Sequence, residues 1–157
     1  MSRILLRDDA VALVQSLRQQ GRVIVFTNGV FDILHPGHAR YLTDARACGD
    51  ALIVGINSDR SARSLEKGPD RPVHPELERA EVVAALRAVD AVVIFDEETP
   101  FSIVSALQPD VLVKGADWAH DAIVGREVVE GDGGRVVRVP LMDGRSTSQL
   151  VERIRRP

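Results

Sequence analysis

Arg22-Val23-Ile24-Val25-Phe26-Thr27-Asn28-Gly29-Val30-Phe31-Asp32-Ile33-Leu34-His35-Pro36-Gly37-His38 is the stretch on which the reading of this chain turns. Its opening run, Val23 to Phe26, is unbroken and β-branched, the pattern of a parallel strand covered on both faces. A strand is assigned to residues 22–27. Pro36 suits the first turn of a helix, and the helix expected over residues 36–47 closes at Gly49. Strand, short turn and helix together make a βα unit.

Outward from that unit the alternation continues. Leu6, Ala10, Leu13, Val14 and Leu17 share one helical face ahead of Gly21, so residues 1–21 are expected to hold an amphipathic helix in front of a core over 22–157. Strands follow at 51–56, 91–95, 111–113 and 135–140. Helices are expected at 75–88 and 100–107, from Gly125, and over 146–156, with Leu150, Val151 and Ile154 of the last facing inward. The fold class is α/β, a Rossmann-like doubly wound parallel sheet in a single domain over 1–157. In such sheets ligands bind beyond the carboxyl ends of the strands, which singles out residues 28–38, 57–73, 114–118 and 143–148.

Composition removes several functions. At 157 residues, 45% hydrophobic and 27% charged, the chain has ordinary globular usage and argues against long disorder. A net charge of −3, only 4% aromatics and no basic stripe weigh against nucleic-acid binding. One cysteine, Cys48, excludes an intrachain disulfide and a Cys-rich zinc site; it reads as a packed thiol in a reducing compartment. Arg3, Arg7, Asp8 and Asp9 break the first apolar run, so it is neither a signal peptide nor a spanning helix, and a cytoplasmic, membrane-free protein is expected.

Two histidines and a glycine at a helix start, directly after a buried strand, form an anion site. Free N–H groups and the helix dipole favour phosphate there, each effect worth about 0.3–1 kcal/mol when exposed. Gly37 lets backbone approach a ligand, and His35 and His38 have N–H groups to donate. The stretch contains neither the Gly-x-Gly-x-x-Gly fingerprint nor the Gly-Lys-Ser/Thr of a P-loop.

Gly29-Val30-Phe31-Asp32-Ile33-Leu34-His35-Pro36-Gly37-His38 resembles the signature of the cytidylyltransferase-like nucleotidyltransferases, and the likeness runs from about Val23 to the C-terminus. Asn57-Ser58-Asp59, Lys67-Gly68-Pro69-Asp70-Arg71-Pro72-Val73, Val113-Lys114-Gly115 and Asp143-Gly144-Arg145-Ser146-Thr147 are most similar to the heptose 1-phosphate adenylyltransferases within it. The resemblance implies attack by a sugar phosphate on the α-phosphorus of ATP, with Mg²⁺ accompanying the nucleotide and a homodimer as the assembly. No protein ligand for the metal is assigned, and neither Asp32 nor Asp44 belongs to a compact carboxylate cluster. It further implies that His35, His38 and Lys67 are catalytic. Thr27, Asn28, Gly29, Phe31, Gly37, Arg71, Arg79, Lys114, Gly115, Asp117, Ser146 and Thr147 are then expected to hold the nucleotide and its phosphates.

Some alternatives stay open at this stage. Arg79 also suits an ion pair with a helical neighbour, Trp118 also suits ordinary packing, and Ser146 is an expected helix cap whatever the function. His74 and His120 read as surface residues. Leu141-Met142 stands where the related glycerol phosphate cytidylyltransferases carry Arg-Thr, which tells against CTP and glycerol 3-phosphate as substrates. A nucleotide-binding module without chemistry and a flavodoxin-like carrier are the competing readings from other classes.

Overall fold

In the computed structural model, which describes residues 3–157, the unbroken apolar run lies in the middle of a six-stranded sheet. The strands β1 (Ile4–Leu5), β2 (Ile24–Gly29), β3 (Ala51–Asn57), β4 (Ala91–Phe95), β5 (Val111–Gly115) and β6 (Arg135–Val139) are all parallel, in the order β1-β4-β3-β2-β5-β6. The helices α1 (Arg7–Gln19), α2 (Pro36–Arg46), α3 (Asp59–Ser64), α4 (Glu76–Ala84), α5 (Phe101–Leu107), α6 (Arg126–Gly131) and α7 (Thr147–Arg155) complete the α/β architecture.

Period-two alternation explains why the strands carry so many apolar residues. Ile24 and Phe26 of β2, Ile53 of β3, Val93 and Phe95 of β4 and Leu112 of β5 pack with Ala10 and Val14 of α1 and Ile103, Val104 and Leu107 of α5. Their neighbours Val25, Leu52, Val54, Val92, Val111 and Val113 point the other way, against Leu42 and Ala45 of α2 and Ala80 and Val83 of α4. Both faces are dry, so neither face of a strand can be polar. Each such Leu, Ile or Val contributes about 1.5–3 kcal/mol by leaving water.

The winding reverses at β2. On one side β2 pairs with β3 over six registered positions, Ile24↔Ala51 to Gly29↔Ile56. On the other it pairs with β5 at only two, Val25↔Val111 and Phe26↔Leu112. Past Phe26 these two strands splay, and a crevice opens at the carboxyl edge where a doubly wound fold is expected to take its ligand. Side chains close the base of the split. Thr27 Oγ1 donates to the carbonyl of Val113 at 2.9 Å, and the Tyr41 hydroxyl lies 2.7 Å from that Oγ1 and 3.2 Å from the same carbonyl. At the opposite edge Asp50, Asp90 and Asp110 accept the N–H groups of Val23, Leu52 and Ile24 at 2.7–2.8 Å.

Several expected boundaries change. The helix expected in residues 1–21 begins at Arg7, with β1 ahead of it against β4; Met1 and Ser2 lie outside the described residues. Two residues are too few for periodicity to reveal a strand. The first core strand runs from Ile24 to Gly29, so Asn28 and Gly29 belong to it. Helix α3, a six-residue piece capped by the Ser58 hydroxyl on Ser61 N–H, replaces the start of an expected loop. On α7 Leu150 and Val151 are half-buried, but Ile154 is 77% exposed rather than inward, because the helix meets the body through its first turn. No helix among the described residues is long and apolar enough to cross a membrane.

Candidate active site

The loop leaving β2 is strained and heavily tied. Phe31 and Ile33 adopt left-handed φ angles of 52° and 50°. For a non-glycine residue that conformation costs on the order of 1–3 kcal/mol, and it persists only where surroundings over-determine it. The surroundings converge on the residue between them. Asp32 is 2% exposed. Its carboxylate accepts from Arg71 Nε at 3.0 Å and from the N–H groups of Val73 at 2.8 Å and His74 at 3.1 Å. Its carbonyl accepts from Thr147 Oγ1 at 2.7 Å. Burial pushes this carboxyl up, but the two amides and the Arg71 guanidinium together hold it below its ordinary value. Asp32 thus joins the β2 loop, the 65–74 loop and the start of α7.

His35 caps α2, whose first residue is Pro36, and its Nδ1 accepts the Gly37 N–H at 3.0 Å. His38 Nδ1 accepts the His35 N–H at 3.3 Å. A Cβ on Gly37 would come within 2.7 Å of the His35 ring, so only glycine allows this turn. The rings stack with centroids 3.9 Å apart. Because each Nδ1 takes a backbone proton, each imidazole carries its own hydrogen on Nε2 as a donor. Both are neutral near pH 7. Burial, the His35 ring and Lys67 bring His38 down to about 4 against a small opposing pull from Asp32, while burial and Arg145 lower His35.

These imidazoles open into a cavity of about 340 Å³ at the splayed strands. Lys67 and Arg71 enter from the 65–74 loop, and Arg145, Ser146 and Thr147 from the N-terminus of α7, where Ser146 Oγ accepts the Gln149 N–H. Asn28, Gly29 and Phe31 line it from the end of β2; Asn28 Oδ1 is buried there with no hydrogen-bond partner among the described residues. Lys114, Gly115, Asp117 and Trp118 form the β5 wall. Gly115 has no room for a Cβ, which would meet Asp117 Oδ1 at 2.6 Å.

Two expected contacts are corrected. Thr27 does not reach the cavity; a hydroxyl inside an apolar strand needs a partner, and it finds Val113 and Tyr41. Arg79 does not either: 2% exposed, it donates to the carbonyls of His74, Val30 and Asn57 and to Asp59 Oδ1 at 2.7–2.9 Å. Trp118 is 48% exposed, so it is not a core residue. His74 and His120 pair with Glu78 and Glu130 at the surface, and Cys48 is half-buried with its thiol on the Asp44 carbonyl. Asp32 and Tyr41 were missed as organisers. A buried carboxylate beside two backbone amides leaves no sequence signal; Tyr41 is reached through Thr27, the polar residue directly after the apolar run Val23–Phe26, and that could have shown it.

A family model described as cytidylyltransferase-like matches residues 26–143. The bifunctional protein HldE of Syntrophotalea carbinolica is 50% identical over 98% of this chain, and that of Geotalea uraniireducens 53% identical over 94%. The chain spans 31% and 30% of the length of those two relatives. Among solved structures, a lipopolysaccharide core biosynthesis protein from Thermoplasma volcanium is 30% identical, with a TM-score of 0.65 over 78% of this chain and 98% of its own. Pantoate-beta-alanine ligase from Francisella tularensis, 15% identical with a TM-score of 0.61 over 94% of this chain and 69% of its own, shares the fold.

Proposed function

The chain belongs to the cytidylyltransferase-like family of nucleotidyltransferases, and from that premise we propose that it transfers an adenylyl group from ATP to a heptose 1-phosphate. An oxygen of the acceptor phosphate bonds to the α-phosphorus, the bond from that phosphorus to the α,β-bridging oxygen breaks, and pyrophosphate leaves with the electron pair. No general base is needed, because a phosphate monoester with a second pKa of about 6 is already largely dianionic. The work left to the protein is positioning and stabilisation of charge.

The observation that carries this reading is the pair of imidazoles whose Nδ1 atoms are fixed by backbone amides, leaving two Nε2–H donors in the cavity. Lys67 and Arg71, on the neighbouring loop, supply the cationic partners for the departing pyrophosphate, and the first turn of α7 supplies a second phosphate contact through Ser146 and Thr147. Mg²⁺ is expected to arrive on the ATP phosphates, where it neutralises charge. Asp32, the buried carboxylate beside the cavity, has both oxygens engaged within the protein, so the ATP phosphates and water are the partners the ion would use.

For the acceptor and base, the support is the resemblance to heptose 1-phosphate adenylyltransferases together with the lipopolysaccharide-core neighbour. Leu141 and Met142 line the cavity where the CTP branch carries Arg-Thr, and they offer no charged contact. The cytoplasm, where ATP and sugar phosphates are at hand, is the expected compartment. Pyrophosphate release is to be measured with Mg²⁺, ATP and CTP, each against heptose 1-phosphate and glycerol 3-phosphate. Release with ATP and the heptose alone supports the reading. Release with CTP and glycerol phosphate moves the chain to the cytidylyltransferases, and ATP binding without release on any acceptor makes it a binding module.

A further inference from the structure

The resemblance gave Lys114, Gly115 and Asp117 of the β5 wall to the nucleotide, but the transfer step proposed above uses none of them. Lys114 ends β5 with its Nζ 5.5 Å from the centroid of the Trp118 ring, and no carboxylate, carbonyl or hydroxyl among the described residues accepts a hydrogen bond from it. Burial brings the Lys114 ammonium down to about 8, with Asp117 pulling the other way. Trp118, the chain's one tryptophan, keeps 48% of its surface open beside it. A withdrawn cation without a hydrogen-bond acceptor is costly, and the half-exposed indole it lies over still leaves apolar area open to water. Together on one wall they suit a ligand that is anionic at one end and offers a C–H face to the open part of the ring at the other.

Resting on the nucleotidyl-transfer reading, we propose that this wall is the acceptor subsite: Lys114 pairs with the phosphate of a phosphorylated sugar, and the sugar ring lies on Trp118. Strand order supports the assignment. The 65–74 loop, with Lys67 and Arg71, follows β3 on one side of β2, whereas Lys114 stands on β5 on the other side. Attacking and leaving oxygens must be roughly in line through the α-phosphorus, hence on opposite sides of it. With pyrophosphate held toward the histidines and the 65–74 loop, the nucleophile enters from β5. A purine base would cover the indole equally well, but it has no anion for the ammonium.

Trp118 makes the test direct, since it is the one tryptophan in these 157 residues. The 157-residue chain is titrated with heptose 1-phosphate, mannose 1-phosphate and a non-hydrolysable ATP analogue, with binding of the analogue also followed by calorimetry. A sugar phosphate is expected to shift the emission. Lys114→Met, which keeps an unbranched side chain one atom shorter and removes the charge, is expected to weaken sugar-phosphate binding about tenfold or more while analogue affinity stays within about twofold. The proposal is overturned if no sugar phosphate moves the emission, or if the analogue alone moves it and Lys114→Met weakens the analogue instead. Turnover is read separately: sugar-phosphate binding without pyrophosphate release keeps the subsite and removes the transferase reading.

Discussion

Arg79 and Lys114 are both basic, both withdrawn from solvent and both at the carboxyl end of the sheet, yet their surroundings differ in kind. Every direction in which the Arg79 guanidinium donates ends on a protein oxygen: three carbonyls and Asp59. The Lys114 ammonium lies over an indole face and donates to no oxygen among the described residues, with Asp117 acting on it only through space. The first cation has been spent on holding the chain's own loops, and the second is available to a ligand. Burial alone therefore does not mark a functional cation; the census of its acceptors does.

The hardest way to break the comparison is at Arg79. Arg79→Leu strips three carbonyls and Asp59 of their buried donor, and removing one partner of a buried ion pair costs about 3–5 kcal/mol, at the lower end here because Asp59 stays partly open to water. Thermal denaturation is expected to show a Tm lowered by roughly 10 °C, at about 2–4 °C per kcal/mol for a chain of this size. A Tm within 2 °C of the parent would mean that Arg79 is no strut. His38→Ala makes the opposite case, with a fold left intact and turnover reduced on the order of 10²–10³-fold, the usual result of deleting one transition-state donor. Near-parental pyrophosphate release by that variant would remove His38 from the chemistry.

Asp32→Asn probes the border between the two regions. It weakens the grip on Arg71 and on the Val73 and His74 amides, with an expected stability loss of about 1.5–3 kcal/mol in chemical denaturation. If Asp32 acts through the 65–74 loop, its effect on turnover shrinks when Lys67→Ala is already present; purely additive losses would contradict that coupling.

Smaller effects sharpen the contrast through pH. His38 titrates near 4 in the free protein and His35 is also lowered, against 6.5 unfolded. The unfolded chain therefore binds more protons between about pH 6.5 and 4, and stability is expected to fall as the solution is acidified through that window. His38→Gln should flatten the decline in Tm; an unchanged slope would show that the imidazole is not desolvated. Lys114 titrates near 8 against 10.5 unfolded, so the unfolded state again holds the extra protons and stability rises from pH 8 to 10.5. Below that window the buried charge is a standing cost, and Lys114→Met is expected to raise Tm by a few degrees at pH 7.

The fold was legible wherever apolar runs were long enough to show a period. Val23–Phe26 announced a strand buried on both faces, and the sheet places it centrally between β3 and β5. β1 and α3 were not legible, because two and six residues carry too little pattern. In the site, His35, Gly37 and His38 stood out as a contiguous string. Arg79 misled because sequence gives the charge of a side chain but not the oxygens that will surround it. Thr27 misled for a related reason: adjacency to the motif is not access to the cavity. Asp32 lay within the quoted stretch and still escaped, since its partners at Arg71, Val73 and His74 are about 40 residues further along and reached mostly by backbone N–H groups.

The sparse registration between β2 and β5 has a consequence for how the protein comes into being. β2, β3 and β4 pair in chain order, but the bonds that close β2 onto β5 join residues 86 apart, such as Thr27 and Val113. On a ribosome the first three can be in hand while β5 is still unmade, and non-local pairing of this kind is slow to form. The histidine turn belongs to the early piece and Lys114 to the late one. The pocket is assembled across the last seam to shut, so ligand capture becomes a report that the whole chain has arrived.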